Sequence, residues 1–239
     1  MYVAGGAMTT MGFGTTQPSG WARVVTVGAS FCGLAVMTMA VTYLLQVQTN
    51  IAVRDTTVLK IGTTAGQPPS ALAWLEYYAS FDGREELGRI LQEGRDWCAA
   101  VLQSHASRPS LIYFRSAGTG AGWPASLGTF LDLALIVEVL LEQQRGCAAD
   151  ELLRREADRV AADLTELLGL PAEPVATSAE DVHQLSSRLS AAGYRVRPDA
   201  DVGRFIALRG QTVGHIHALS KHLGTPPAPL LPNEDSSGS

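Results

Sequence analysis

The sequence predicts a mainly α protein in which one membrane-spanning helix precedes an all-α domain. Val24 to Val53 is a run of 30 residues without a formal charge, and a spanning helix needs about 20 apolar residues. Beyond residue 54, apolar residues recur at three- and four-residue spacings, the period of a helix that buries one face. Charge divides the chain at the same place. Of 18 Lys+Arg and 23 Asp+Glu, only Arg23 precedes residue 54, so the first 53 residues carry +1 and the remainder, with 17 basic residues against 23 acidic, carries −6. That acidic remainder disfavours a nucleic-acid partner.

Within the apolar run, Trp21 and Tyr43 suit the two membrane interfaces, and Arg23 and Arg54 mark its edges. Ala29 and Gly33 stand one turn apart, a small-residue pair that lets a neighbouring backbone approach. Gly33 is also a candidate bending point. Met1 to Thr16 contains no Lys or Arg, so the charged start of a secretory signal is missing and export is not expected. Cys32, Cys98 and Cys147 are too few and too irregularly spaced for a disulfide framework or a zinc site, and read as reduced packing residues.

Upstream of the run stands Thr9-Thr10-Met11-Gly12-Phe13-Gly14-Thr15-Thr16-Gln17-Pro18. Glycines at alternate positions permit a backbone whose successive carbonyls face one way and replace the water shell of a cation. Here the chain resembles the selectivity filter and inner helix of the bacterial single-pore potassium channel family, with Thr10, Met11, Gly12, Phe13 and Gly14 in the five filter positions. The resemblance continues through Arg54-Asp55, Ala65-Gly66-Gln67-Pro68-Pro69-Ser70, Trp97, His105-Ala106-Ser107-Arg108-Pro109 and Arg115-Ser116. Thr15 stands where the family has an aspartate, and only nine residues precede Thr10, so the resemblance implies an N-terminally truncated subunit.

What the resemblance implies is a pore-lining transmembrane helix after a selectivity-filter loop, followed by a cytosolic all-α domain. Four identical subunits in the lipid bilayer of the inner membrane would pass K⁺ passively, with Gly33 as the gating hinge and no cofactor or metal beyond K⁺ at the filter. The other reading is a membrane-tethered helical interaction or sensor module without conduction.

The remainder is read from its own periodicities. Glu85 to Ser104 places Leu87, Ile90, Leu91, Gly94, Trp97, Cys98 and Val101 on one face. Ser126 to Glu142, richer in apolar residues but carrying Asp132 and Glu138, reads as the central helix of a bundle. Asp150 to Leu168 reads as an exposed amphipathic helix with Glu151, Arg154, Arg155 and Asp158 on its solvated face. Ser178 caps a helix ending near Gly193, and Val202 to Leu223 forms another. The expected units are residues 1–53 (partial pore domain), 54–170 (helical domain), 171–224 (smaller helical unit) and 225–239 (disordered tail).

No catalytic constellation emerges, and the chain does not read as an enzyme. Gly118-Thr119-Gly120-Ala121-Gly122 follows a strand-like Leu111-Ile112-Tyr113-Phe114, but lacks both the dinucleotide spacing and the lysine of a phosphate loop, so it reads as a connector. Arg115 beside it is expected to pair with an acidic neighbour such as Asp132. His215, His217 and His222 do not match the three- or four-residue spacing of helical metal ligands, and His105 is expected to make a structural hydrogen bond.

Overall fold

The structure, a computed structural model, describes residues 2–9, 19–114, 116, 120–142 and 148–232. The filter positions Thr10, Met11, Gly12, Phe13 and Gly14 lie outside the described residues, as do Arg115 and Cys147. Two compact units divide the chain, Met1–Asn50 and Ile51–Ser239.

The first unit holds α1 (Tyr2–Met8) and most of α2 (Trp21–Thr64), a 44-residue helix that also enters the second unit. The helix runs without a break through Gly33, where an added Cβ would lie 2.1 Å from the Met8 carbonyl oxygen. Thr26, Ser30, Thr38 and Thr49 each donate a hydroxyl to the carbonyl four residues earlier, so the helix satisfies its own polar side chains. Around it Trp21, Phe31, Met37, Met39 and Leu44 are exposed.

Among the described residues two helices are long and apolar enough to cross a membrane, Trp21–Thr64 and Gly122–Leu140. Length and apolarity are shared by buried core helices and by leader sequences near an N-terminus. Gly122–Leu140 is of the first kind, with 94% of its apolar window buried inside the protein, and Trp21–Thr64 lies near the N-terminus with 6% buried.

The second unit is an all-α bundle. The end of α2 leads to α3 (Ala71–Ser80), a 3₁₀ turn at Gly83–Glu86, and α4 (Leu87–Ser107). A second 3₁₀ turn, Pro109–Tyr113, precedes α5 (Gly122–Leu135), which closes in a π turn at Ile136–Leu140. After it come α6 (Ala149–Leu167), α7 (Ala179–Ala191) and α8 (Val202–Leu223). Among the described residues the only β pairing is an isolated bridge between Leu141 and Val196.

The order of burial explains the arrangement. Every residue of α5 is buried, so it must be covered on all sides, and α3, α4, α6 and α8 all pack against it. The covering helices are amphipathic. From α4, Ile90, Leu91, Trp97, Cys98 and Val101 turn inward; from α6, Leu153, Ala157, Val160, Ala161 and Leu164. Phe130 meets Trp74 and Trp97 with ring centroids 5.5 Å away in each case, a spacing favourable for tilted and edge-on aromatic pairs. Ser178 and Asp181 form a capping box that starts α7, each side chain bonding the other's backbone N–H.

Polar residues inside α5 are met individually. Thr129 Oγ1 donates to the Ala125 and Pro69 carbonyls at 2.9 and 3.1 Å. The Arg209 guanidinium grips both carboxylate oxygens of Asp132, at 2.8 and 3.1 Å, and reaches Thr177 Oγ1 at 2.8 Å. Burial disfavours the charge on Arg209, but Asp132 and Asp181 together more than offset it and its pKa is raised.

These observations correct the expected fold class. The helices after α2 enclose α5, and with Val58 and Ile61 from the end of α2 they form one core. The resemblance to a two-helix pore channel is corrected with it, because the second unit is a tightly packed all-α bundle with extensive contacts between its helices and not a compact two-helix pore domain. Smaller readings change too. Leu111 to Phe114 is a 3₁₀ turn and its continuation, not a strand. Arg154 bonds Glu138 at 2.7 Å with both side chains largely covered, so it does not belong to a solvated face. Residues 225–232 pack on the bundle through Ala228 and Leu230, both buried.

Tightness of the α4–α5 crossing is tested at Gly94, where an added Cβ would sit 2.7 Å from the Phe130 ring and 3.1 Å from Leu153. Gly94→Ala is expected to cost about 1–3 kcal/mol through overpacking. Gly210→Ala, on the open side of α8 with nothing within 4 Å, should gain up to about 1 kcal/mol from helix propensity. Urea unfolding of the two variants checks both signs.

Candidate functional site

Three chain segments meet at one end of the bundle. The first is the 3₁₀ turn Pro109–Tyr113, which Arg54 of α2 fastens from beneath. Its guanidinium donates to the carbonyls of Leu111 at 3.2 Å and Phe114 at 2.8 Å, while its Nε meets Asp55 at 3.1 Å. Trp97 completes the anchor by donating its indole N–H to the Arg54 carbonyl at 3.2 Å. Burial lowers the Arg54 pKa, and Asp55 opposes the shift.

The second segment is the start of α5, where Gly122 takes a φ of 68°, a left-handed conformation that other residues rarely adopt. The third is the end of α8, capped by Gly224 and followed by Thr225, whose backbone N–H bonds the Ser220 carbonyl at 2.9 Å.

Between them lies a cavity of about 110 Å³, lined by Ile112, Tyr113, Phe114, Ser116, Trp123 and Leu223 together with Gly120, Gly122, Pro124 and Thr225. Most of this lining is hydrocarbon or aromatic ring. Two of these residues carry a buried polar side-chain atom with no hydrogen-bond partner among the described residues, Ser116 Oγ and Trp123 Nε1. Ser116 is 6% exposed and Trp123 is 1% exposed. An unsatisfied buried donor costs about 1–3 kcal/mol, and native structures hold few of them.

Behind Trp123 stands His105, with the ring centroids 5.4 Å apart. Its Nδ1 lies 2.8 Å from the Val101 carbonyl, which can only accept, so Nδ1 carries the proton. The other nitrogen, Nε2, is buried and unpartnered. Burial pulls the His105 pKa down to about 4, against the pull of the Val101 hydrogen bond and with help from the Arg54 charge. The histidine is therefore neutral at pH 7. At the opposite side Tyr113 and His222 hold their rings 5.9 Å apart.

The residues singled out in the sequence are dispersed. Gly118 and Thr119 lie outside the described residues, whereas Gly120 and Gly122 of the same glycine segment line the cavity. Asp132, the expected partner of Arg115, is held by Arg209. His215 sets Nδ1 2.8 Å from Thr165 Oγ1, His217 has its pKa lowered chiefly by burial, and only His222 approaches the cavity rim. Cys98 is wholly buried, and that burial pushes its thiol pKa up. Among the described residues no group of three or more His, Cys, Asp or Glu could hold a metal ion. Ser116 and Trp123 carried no sequence signal as a pair, because their meeting depends on how the turn docks against α5.

Compared with known proteins, the chain matches no family model, no curated protein and no solved structure. None of these comparisons supports the channel family implied by the filter-like loop, and the packed all-α bundle of the second unit corrects the expected conduction of K⁺, the homotetrameric pore and the lipid-bilayer partner. The membrane-tethered module has no positive support either. Placement in the inner membrane with a cytoplasmic C-terminal domain is corrected too: among the described residues Gly122–Leu140 is a buried core helix, and the length and apolarity of Trp21–Thr64 do not by themselves make a membrane span.

The neutral His105 makes the bundle sensitive to acid. Its folded pKa of about 4 lies below the ordinary 6.5, so its contribution is complete above pH 6.5 and is lost as pH falls toward 4. The linked loss is about 3 kcal/mol. His105→Phe, which keeps a ring against Trp123, should flatten that part of the stability–pH curve in urea unfolding; an unchanged curve would contradict a buried neutral histidine.

Proposed function

We propose that the helical unit binds a small organic molecule in the cavity between the 3₁₀ turn, α5 and the end of α8, and that it does so without catalysing a reaction. The observation that carries this reading is the cavity itself, a mostly apolar gap whose lining residues include Ser116 and Trp123, each with a buried side-chain polar atom that has no hydrogen-bond partner among the described residues. A wall needed only for packing is more stable with such atoms paired or replaced by hydrocarbon. Binding sites retain costs of this kind, because the ligand supplies the missing partner.

The shape supports the same conclusion. Small-molecule sites are concave and mostly apolar, with a few polar groups that fix orientation. Here the apolar part comes from Ile112, Phe114, Trp123, Pro124 and Leu223 and the polar part from Ser116 and Thr225. Such groups hold and orient a molecule, whereas proton transfer at neutral pH calls for a base or acid tuned near the working pH. His105, the nearest histidine behind the wall, is held neutral with its Nδ1 proton committed to Val101.

Ser116→Ala tests the reading. Removing the unpartnered hydroxyl without adding bulk is expected to raise ligand-free stability by about 1 kcal/mol while abolishing melting shifts produced by a collection of small organic molecules. Loss of stability in Ser116→Ala, or shifts that persist in it, would show that the hydroxyl serves the fold or that binding occurs elsewhere.

A further inference from the structure

The chain beyond α8 returns along the bundle, and its chemistry sets it apart from the helices it covers. We infer that residues 226–232 form a releasable strap: they leave their seat on α5 while the bundle stays folded, and the vacant seat accepts another extended, proline-rich segment in their place. The inference does not rest on the binding reading above.

Sequence sets the shape of the strap before it docks. Pro226, Pro227, Pro229 and Pro232 hold φ at about −65°. Thr225, Pro226, Ala228 and Leu231 each precede a proline, which turns them from the helical region toward extended backbone. Such a segment cannot continue α8, which ends at Gly224 in a left-handed cap. It also has little conformational freedom to lose, so docking it again carries a small entropic cost.

Attachment is confined to two side chains. Ala228 and Leu230 are 6% and 8% exposed, whereas residues 226, 227, 229, 231 and 232 are exposed or half-buried. Inward residues two apart follow the period of an extended chain. Four of the seven residues are prolines without an N–H, and among the described residues no backbone–backbone hydrogen bond joins 226–232 to the bundle. The last such bond runs from the Thr225 N–H to the Ser220 carbonyl, at the root of the strap. Beyond it Ser70 Oγ donates to the Leu230 carbonyl at 3.4 Å, long for a hydroxyl donor. Segments with few buried apolar contacts and few backbone hydrogen bonds open at free energies well below that of global unfolding.

The seat does not depend on the strap. Ala121 and Ala125 form a small apolar cluster with Ala228, and a Cβ added at Gly128 would lie 3.2 Å from the Ala228 Cβ. These positions are three and four residues apart and share one side of α5. The helix keeps its packing against α3, α4, α6 and α8 whether or not the strap is docked. What the seat accepts is what the strap presents, a small residue and a leucine two positions apart on a proline-rich backbone. A charged side chain at either anchor is excluded by the cost of burying it.

Thiol labelling of the full chain reads the opening. Leu230→Cys and Leu219→Cys make the same change in the strap and on α8, where Leu219 is wholly buried. The thiol introduced at position 230 is expected to react at least about a hundredfold faster than the one at 219, which is reached only when the bundle unfolds. A terminally blocked peptide with the sequence of residues 225–232 reads the seat. It should bind Leu230→Asp saturably at one site, and the parent at least about tenfold more weakly, because the tethered strap competes at an effective concentration on the order of millimolar. The same peptide with aspartate in place of its first leucine should not bind. Equal labelling at 230 and 219, equal peptide binding by the parent and Leu230→Asp, or a Leu230→Asp chain that unfolds or takes up no peptide would overturn the inference and make the segment a fixed part of the core.

Discussion

Complete burial of α5 is the constraint from which the rest of the helical unit follows. All 14 of its residues are inside, so each direction around its axis needs a covering element, and α3, α4, α6 and α8 provide them. A helix apolar on every side has two stable environments, a membrane or a protein core. Asp132 separates these alternatives here. Its carboxylate is gripped by Arg209 from α8, and Arg209 in turn reaches Thr177 ahead of α7. One buried ion pair thus ties the C-terminal helices to the central one. Removing either partner would strand a charge in the core, a loss of about 3–5 kcal/mol.

The cavity is a product of the same constraint. α5 begins at Gly122, with Trp123 as its second residue, and this end is closed by loops and by the end of α8 instead of a full helix face. Loops fill space less completely than helices pack. Arg54 compensates by pinning the 3₁₀ turn through two carbonyls, which holds Ile112 and the neighbouring ring-bearing residues in place. The result is a small gap between the 3₁₀ turn, the start of α5 and the end of α8.

Much of the local structure was legible in the sequence because periodicity reports one-sided burial directly. The spacing of Ile90, Leu91, Gly94, Trp97, Cys98 and Val101 marks the inner face of α4, and Ser178 with Asp181 marks the start of α7. Asp132 and Glu138 distinguish α5 from a spanning helix. What periodicity does not carry is the choice among environments. The apolar run of α2 and the glycine loop before it fit a pore, yet a five-residue pattern and an uncharged stretch impose no tertiary arrangement by themselves. The short apolar segment Leu111 to Phe114 shows the same ambiguity at small scale, since four residues fit a strand or a 3₁₀ turn. The site was illegible for a further reason. Ser116 and Trp123 are ordinary residues individually, and their unpaired atoms become visible only when burial and hydrogen-bond partners are known.

Native-state hydrogen exchange on the full chain reads the enclosure of α5, since a helix enclosed on all sides exchanges only when the bundle opens. The amides of residues 126–135 are expected to be the slowest in the protein, to exchange at the free energy of global unfolding, and to share that value with the inner turns of α4, α6 and α8. Exchange of residues 126–135 well ahead of global unfolding, or independently of those three helices, would contradict a bundle built around α5.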